Sequence, residues 1–399
     1  MKAEELLEAI GSINDKTIHD AKEDRPLPTY KWVKWVAVAA CLSLSVYASI
    51  LFLPSDILKP GPEEPGPGQE KPAPGWEELP SNGMGYEGIM VYSISEIGGA
   101  NPWTEDSSLS TLPVYKNLAY TDRAGTPICL SESAMLALAE KAAAALGTKT
   151  GEIEVEPYFG PAEEYKDMVS SLYATTDIGT IEVDGNGQID VWFDKPVQLP
   201  KEYRFTRSGT SDDEAVRVTS YLLERFSRLL ELESPVIDTR IDYDYSGKQR
   251  RNYYAYSDSD NLEQRILNYN FNKVEFAPDE KGALLLIRYG NVLSCAEKLG
   301  DCPVISLEAA RGLLLDGKYL STVPAELLYG GAIREQDITK AELVYGSNNF
   351  YKGFMPYYRF YIELSEDGEI ADGLINYGAF YVPAISSEYL SELSVWDGS

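Results

Sequence analysis

The 21 residues between Lys34 and Asp56, WVAVAACLSLSVYASILFLPS, carry no charge, and no other feature restricts the fold of this chain so strongly. Their most apolar part, Trp35 to Leu53, is 19 residues long. As a helix that is ~28 Å, against a hydrocarbon core of ~30 Å. Trp32 and Trp35 stand where interfacial aromatics collect, and Lys31 and Lys34 flank the same end. The other flank has Pro54 and Asp56 before its first lysine, Lys59. Positive charge concentrates on the cytosolic side of a spanning helix. We therefore expect a single transmembrane helix over residues 32–54, with the N-terminus in the cytosol and the remainder outside.

Other readings of the segment fit less well. A buried core helix rarely runs this long without a charge. A cleaved signal peptide has a short basic leader, whereas 30 residues of mixed charge precede this segment. Val38-Ala39-Ala40-Cys41 has the outline of a lipoprotein cleavage box, but the apolar run continues past the cysteine.

The segment divides the chain. Residues 1–31 form a cytosolic tail in which Leu6, Ile10 and Ile13 follow i, i+4, i+7 and give one narrow apolar face on a short acidic helix. Asn14 and Asp15 suit the end of that helix and the cap of a second one through Ile18 and Ala21. Helices this short are marginal alone in water. The tail is therefore either a docking segment for a cytosolic partner or a flank of the anchor, and the sequence leaves both open. Residues 55–84 are a linker: eight prolines fall between residues 54 and 80, interspersed with Gly and Glu, a composition that buries no core and favours an extended stalk.

The exterior body is expected to be α+β, with antiparallel sheets packed by helices in two modules, 85–233 and 234–399. Ser131 caps the alanine- and leucine-rich run that ends at Gly147. TIEVDGNGQIDVWF, residues 180–193, alternates about a turn at Asp184-Gly185-Asn186-Gly187 and predicts a hairpin. Residues 212–232 place Ala215, Val218, Leu222, Phe226 and Leu229 at helical spacing. Strands are expected near 236–243, 252–257, 272–277 and 283–289, then a helix from Ser306 to Gly317, then strands at 338–346, 356–364 and 374–385.

Charge and composition exclude several functions. The chain has 63 acidic and 35 basic residues, which argues against nucleic acid as a partner, since a phosphate-tracking surface needs clustered Lys and Arg. After subtraction of residues 1–34, 29 basic and 56 acidic residues remain outside, so the acidity belongs to the exterior and favours a basic or neutral partner there. The only histidine is His19, on the cytosolic side, so the exterior has none for a His-dependent triad or a His-ligated zinc. No GxxxxGK[ST], GxGxxG or GxSxG run occurs. Asp184 begins a calcium-loop pattern, but Ile189 stands where such a loop needs glycine and no Glu follows at its twelfth position. Ser257-Asp258-Ser259-Asp260-Asn261 reads better as a helix cap than as a metal site. We expect no catalytic residues, cofactor or metal. Acidic residues are so numerous that any two resemble a glycosidase pair, which leaves a carboxylate-pair hydrolase open.

Cys295 and Cys302, six residues apart in CAEKLGDC, are candidates for a small disulfide loop, with Cys129 left over. The 28 tyrosines cluster at 243–256 and at 345–361, the latter with Phe350, Phe354 and Phe360. Core packing is the commoner explanation of such alternation, and a glycan- or peptide-binding face the alternative.

Two resemblances add to this. EELLEAIGSINDKTIHDA followed by KWVKWVAVAACLSL resembles the start of single-pass membrane proteins of Clostridia and related Firmicutes, many of them anti-sigma factors or sigma-factor regulators. The resemblance covers residues 3–53 and implies that residues 1–30 hold a sigma factor or signalling protein at a bacterial cell membrane. The chain lacks the His and paired Cys of the zinc-binding anti-sigma type. ISLEAARGLLLDGKYL, AELVYG, PYYRFYIEL and YGAFYVPAI resemble the extracytoplasmic regulators of sensor kinases in the YycH/YycI group and PepSY-like modules. That resemblance covers residues 300–385. It implies a helix packed on a small antiparallel sheet, with a regulatory or binding role and no active site. The exterior ligand is not named by either.

Overall fold

Alternating apolar residues separated by Gly, Asn and Asp turns make short antiparallel strands, and the computed structural model of the chain is built mainly of these. It describes residues 87–97, 99–120, 129–158, 166–347, 351–365, 370–386 and 389. The tail face of Leu6, Ile10 and Ile13, the anchor residues Lys31, Trp32, Lys34 and Trp35, and the linker lie outside the described residues. Among the described residues no helix is long and apolar enough to cross a membrane.

In chain order the elements are β1 (Gly88–Val91), β2 (Thr111–Asn117), α1 (Glu132–Ala145), β3 (Ile153–Pro157), β4 (Val169–Thr175), β5 (Gly179–Asp184) and β6 (Gln188–Val197). Then come α2 (Asp212–Arg225), α3 (Ser227–Leu230), β7 (Pro235–Tyr243), β8 (Gln249–Ser257), α4 (Leu262–Phe271), β9 (Lys273–Pro278) and β10 (Leu284–Gly290). The last are β11 (Ala296–Pro303), α5 (Leu307–Leu315), β12 (Ile338–Tyr345), β13 (Gly353–Phe354), β14 (Pro356–Glu363) and β15 (Ile375–Pro383). They form an eight-stranded sheet in the order β3-β4-β5-β6-β10-β9-β8-β7, a four-stranded sheet β1-β15-β14-β12 and a three-stranded sheet β11-β2-β13. The body is α+β and its strand pairs are antiparallel, as expected.

Local signals act where the sequence puts them. Ser131 accepts from Ala134 N and starts α1, and Gly147 closes it at a φ of +76°. Ser211 and Glu214 form a reciprocal capping box at the start of α2. Asn261 caps α4 through Glu263 N and Gln264 N. The 184–187 turn joins β5 to β6, with Val183 opposite Ile189. Its Asp184 Oδ1 accepts from the backbone N–H groups of Asn186 and Gln188, so the turn itself engages this carboxylate.

One face of the large sheet is covered by α1 and α2. Met135, Ala139, Val218 and Leu222 of these helices meet Leu172, Ile181, Val191, Tyr253 and Phe276 of the strands. On the four-stranded sheet, Phe360, Ile362, Phe380 and Val382 pack with Ile266 and Phe271 of α4 and Leu314 of α5. A division at 233/234 does not follow these sheets, because β3–β6 and β7–β10 lie in one sheet. The physical reason is pairing: β6 hydrogen-bonds to β10, with Val191 opposite Ile287.

The disulfide expectation is corrected. Cys295 is bridged to Cys129, 166 residues away in sequence, with a Cα–Cα distance of 5.8 Å, and Cys302 is free. Cys302 lies near the end of β11, directly after which the strand finishes, while Cys295 precedes its first residue. Seven residues of extended chain hold the two ~20 Å apart, far beyond disulfide reach. Cys129 is instead brought in by the hairpin turn, whose Gly185 O accepts from Cys129 N and Leu130 N. Closing so long a loop is worth several kcal/mol by chain entropy, at the upper end of ~2–5 kcal/mol. Reduction, or Cys129→Ser, is expected to lower the thermal midpoint by roughly 5–10 °C. Cys302→Ser should leave it within ~1 °C, since that thiol has no bridge to lose. A peptide map showing a Cys295–Cys302 link would contradict the pairing.

Candidate functional site

Period-two alternation puts a polar row on the face of the large sheet opposite α1 and α2. The register runs Glu154, Tyr173, Glu182, Asp190, Arg288, Glu275, Tyr254 and Asp238, one residue from each of the eight strands. Arg288 holds Asp190 with its Nε 2.9 Å from Oδ1 and Nη2 2.7 Å from Oδ2. Glu182, opposite Asp190, has its carboxyl pushed up by burial and by the Asp190 charge. Trp192 is exposed at 38%.

The row ends at Asp238 on edge strand β7, whose side chain has no solvent exposure. A buried carboxylate needs partners, and Asp238 has them from three places. Ala100 N donates to Oδ1 at 2.8 Å. Arg240 Nη2 donates to Oδ2 at 2.8 Å and Lys273 Nζ to the same oxygen at 2.9 Å. The close approach of the 99–100 turn depends on Gly99, at a φ of +48°, where a Cβ would stand 1.9 Å from Asp238 Oδ1. Burial pushes the Asp238 carboxyl up, but the Arg240 and Lys273 charges outweigh it and hold it at about 2.

Both cations also meet aromatic rings. Lys273 Nζ lies 3.6 Å from the Tyr269 ring centroid, and Arg240 Nη2 donates to the Tyr269 hydroxyl at 2.8 Å. Burial and the neighbouring Arg240 charge bring the Lys273 ammonium down to about 7, against the opposing pull of Asp238.

The four-stranded sheet supplies the facing wall. Glu342 of β12 is opposite Arg359 of β14, and Arg359 Nη2 reaches Glu342 Oε2 at 2.6 Å. Lys340 Nζ is 3.4 Å from the other oxygen, Oε1. Burial raises the Glu342 carboxyl, yet the Arg359 and Lys340 charges bring it below its ordinary value. Arg359 Nε is buried without a hydrogen-bond partner among the described residues.

Between these walls is a cavity of about 340 Å³ lined by Arg240, Lys273 and Arg359, with Tyr269, Tyr345, Tyr351, Tyr357 and Tyr381 around them and Glu87 also on its wall. The tyrosine clusters thus serve two ends. Tyr253, Tyr256, Tyr358 and Tyr361 are core residues, while Tyr345, Tyr351 and Tyr357 line the cavity; Phe350 lies outside the described residues. The cavity residues come from separate elements with no common spacing, so no motif announced them. The available signal was a charge inside an apolar strand, such as Arg359 within PYYRFYIEL.

No protein-family model matches the sequence, and no curated protein matches it. A solved structure with a similar trace is an uncharacterised protein from Eubacterium rectale ATCC 33656. The match covers 70% of this chain and 85% of that chain, at 11% sequence identity and a TM-score of 0.31. A likeness at that level assigns neither a family nor a function.

Asp238→Asn leaves the half-buried Arg240 and Lys273 against a neutral amide and is expected to destabilise the body by ~3 kcal/mol. The sign with pH follows from the low carboxyl value. The Asp238 contribution is complete above its ordinary 3.8 and disappears as the pH falls towards about 2. Chemical denaturation at pH 7 and pH 2.5 should show a large difference between wild type and variant at the first and a smaller one at the second. Equal stabilities at pH 7 would remove Asp238 from this role.

Proposed function

We propose that the chain is a non-enzymatic, single-pass protein of a bacterial cell membrane, whose exterior body binds or senses a ligand. Its residues 1–30 act on a cytosolic sigma factor or sensor kinase. The observation that carries the binding part is the cavity between the two sheets, walled by buried ion networks and tyrosines. Its volume is at the lower end of the ~300–1,000 Å³ usual for small-molecule sites. The Cys129–Cys295 bridge supports an exterior location, since such bonds persist in oxidising compartments. A ligand bridging both walls would favour one arrangement of the sheets, and a change in oligomeric state or tail exposure would carry that to the cytosol.

A second reading, a wall-directed binder or hydrolase, draws on the polar sheet face. There Trp192 is exposed and Glu182 and Asp190 stand opposite each other with different environments. The Asp190–Arg288 ion pair gives Asp190 a structural use, and for this reason we favour the first reading.

Site-specific crosslinkers in residues 1–30 of the full chain, expressed in its own host, should capture a sigma factor or kinase. Deletion of residues 1–28 should abolish the regulated response. A fully functional deletion variant would make the tail inert and favour the wall-directed reading. A C-terminal alkaline phosphatase fusion should be active, because the proposal puts that end outside.

A further inference from the structure

We infer that the cavity between the β7–β9 corner and the four-stranded sheet binds a small oxyanion, a carboxylate or a phosphate, through Lys273, Arg240 and Arg359. This rests on the binding reading above and names its ligand class.

The supporting observations are geometric. Lys273 and Arg240 share one carboxylate, Asp238, with both donating to the same oxygen. Across the cavity, Arg359 shares Glu342 with Lys340. Four cations therefore depend on two buried carboxylates, and three of the four line one cavity. Among the described residues of the cavity wall only Glu87 is acidic, and it accepts from the Tyr381 hydroxyl. Arg359 Nε is buried and without a hydrogen-bond partner among the described residues, as is Glu342 Oε1 of the same network. An oxyanion would supply the missing negative charge and acceptor oxygens, with guanidinium groups suited to bind it.

The acidity of the whole body does not overrule this. At physiological ionic strength distant charges are screened beyond ~8 Å, whereas the three cations are at the cavity wall itself. The volume of about 340 Å³ corresponds to roughly ten waters at ~30 Å³ each. That suits a small molecule and not a polymer. Tyr345, Tyr351 and Tyr357 on the cavity wall would meet its uncharged part.

The groups facing Lys273 are Asp238 and Arg240 of β7, Tyr254 of β8, Tyr269 of α4 and Arg359 of β14. Burial and the Arg240 charge lower the Lys273 ammonium towards about 7, which favours reaction of its amine with an acylating reagent, and a bound anion should protect it. The test is pulsed acetic-anhydride labelling of the full chain in detergent, read by peptide mass, with exposed Lys201 as the internal reference. The probes are inorganic phosphate, citrate and the neutral sugar tri-N-acetylglucosamine.

Phosphate or citrate should slow Lys273 labelling at least fivefold without changing Lys201, and whichever protects identifies the phosphate or carboxylate source. Arg359→Gln should weaken that protection at least tenfold in concentration, and Arg359→Lys should retain most of it. Because the wild-type measurement needs no variant, misfolding of Arg359→Gln leaves the result intact. Unchanged labelling with both anions overturns the inference. If only the sugar protects Lys273, the anion class is wrong but the binding reading stands. Anion protection in a chain whose tail captures no cytosolic partner would leave this inference standing and overturn the signalling part of the proposed function.

Discussion

Asp238 is a carboxylate removed completely from water, and it is kept charged by partners from different parts of the chain: the Ala100 amide, Arg240 of its own strand and Lys273 of β9. Burying such a charge alone costs several kcal/mol, so the arrangement holds only when all partners are in place. Their positions therefore fix the 99–100 turn against β7, and with it the approach of the segment that leads from the four-stranded sheet. Tyr256 adds to the same corner by donating to Ala100 O at 2.7 Å. The cavity is a consequence of this corner, because the cations that neutralise Asp238 also form its wall.

The hairpin of β5 and β6, in the middle of the large sheet, has a different tether. There the 184–187 turn is held against both halves of the Cys129–Cys295 bridge, and Asn186 within it is buried. Asp184 feels this burial: its carboxyl is pushed up to about 6, against the backbone donors of Gln188 and Asn186 that favour its charged form. A hairpin turn that looks solvent-exposed by composition is thus a docking element. The row from Glu154 to Asp238 puts one polar side chain of each of the eight strands on the face opposite α1 and α2. This follows from a side-chain period of two, with α1 and α2 on the apolar face and Tyr269 of α4 covering the polar row at its Asp238 end.

What was legible in the sequence was local. The caps at Ser131, Asn261 and Ser306, the 184–187 hairpin and the apolar spacing of Ala215, Val218 and Leu222 each depend on residues within a few positions of one another. The uncharged segment before Asp56 belongs to the same class, since length and flanking charge are read along the chain. The candidate site was not legible. Asp238, Lys273 and Arg359 lie on three elements of two sheets, and nothing in their spacing brings them together.

The sequence by itself determined several helix caps and the 184–187 hairpin, that the residues after the apolar segment carry the acidity and lack histidine, and that this segment of membrane length precedes a proline-rich linker. Only the tertiary structure decided that Cys295 pairs with Cys129, that a single sheet crosses residue 234, and that three basic side chains of an acidic body converge on one cavity. The reason is range. Backbone propensity, capping and alternation act over a few residues, whereas strand pairing and the satisfaction of a buried charge join residues more than a hundred positions apart, as Asp238 does with Ala100.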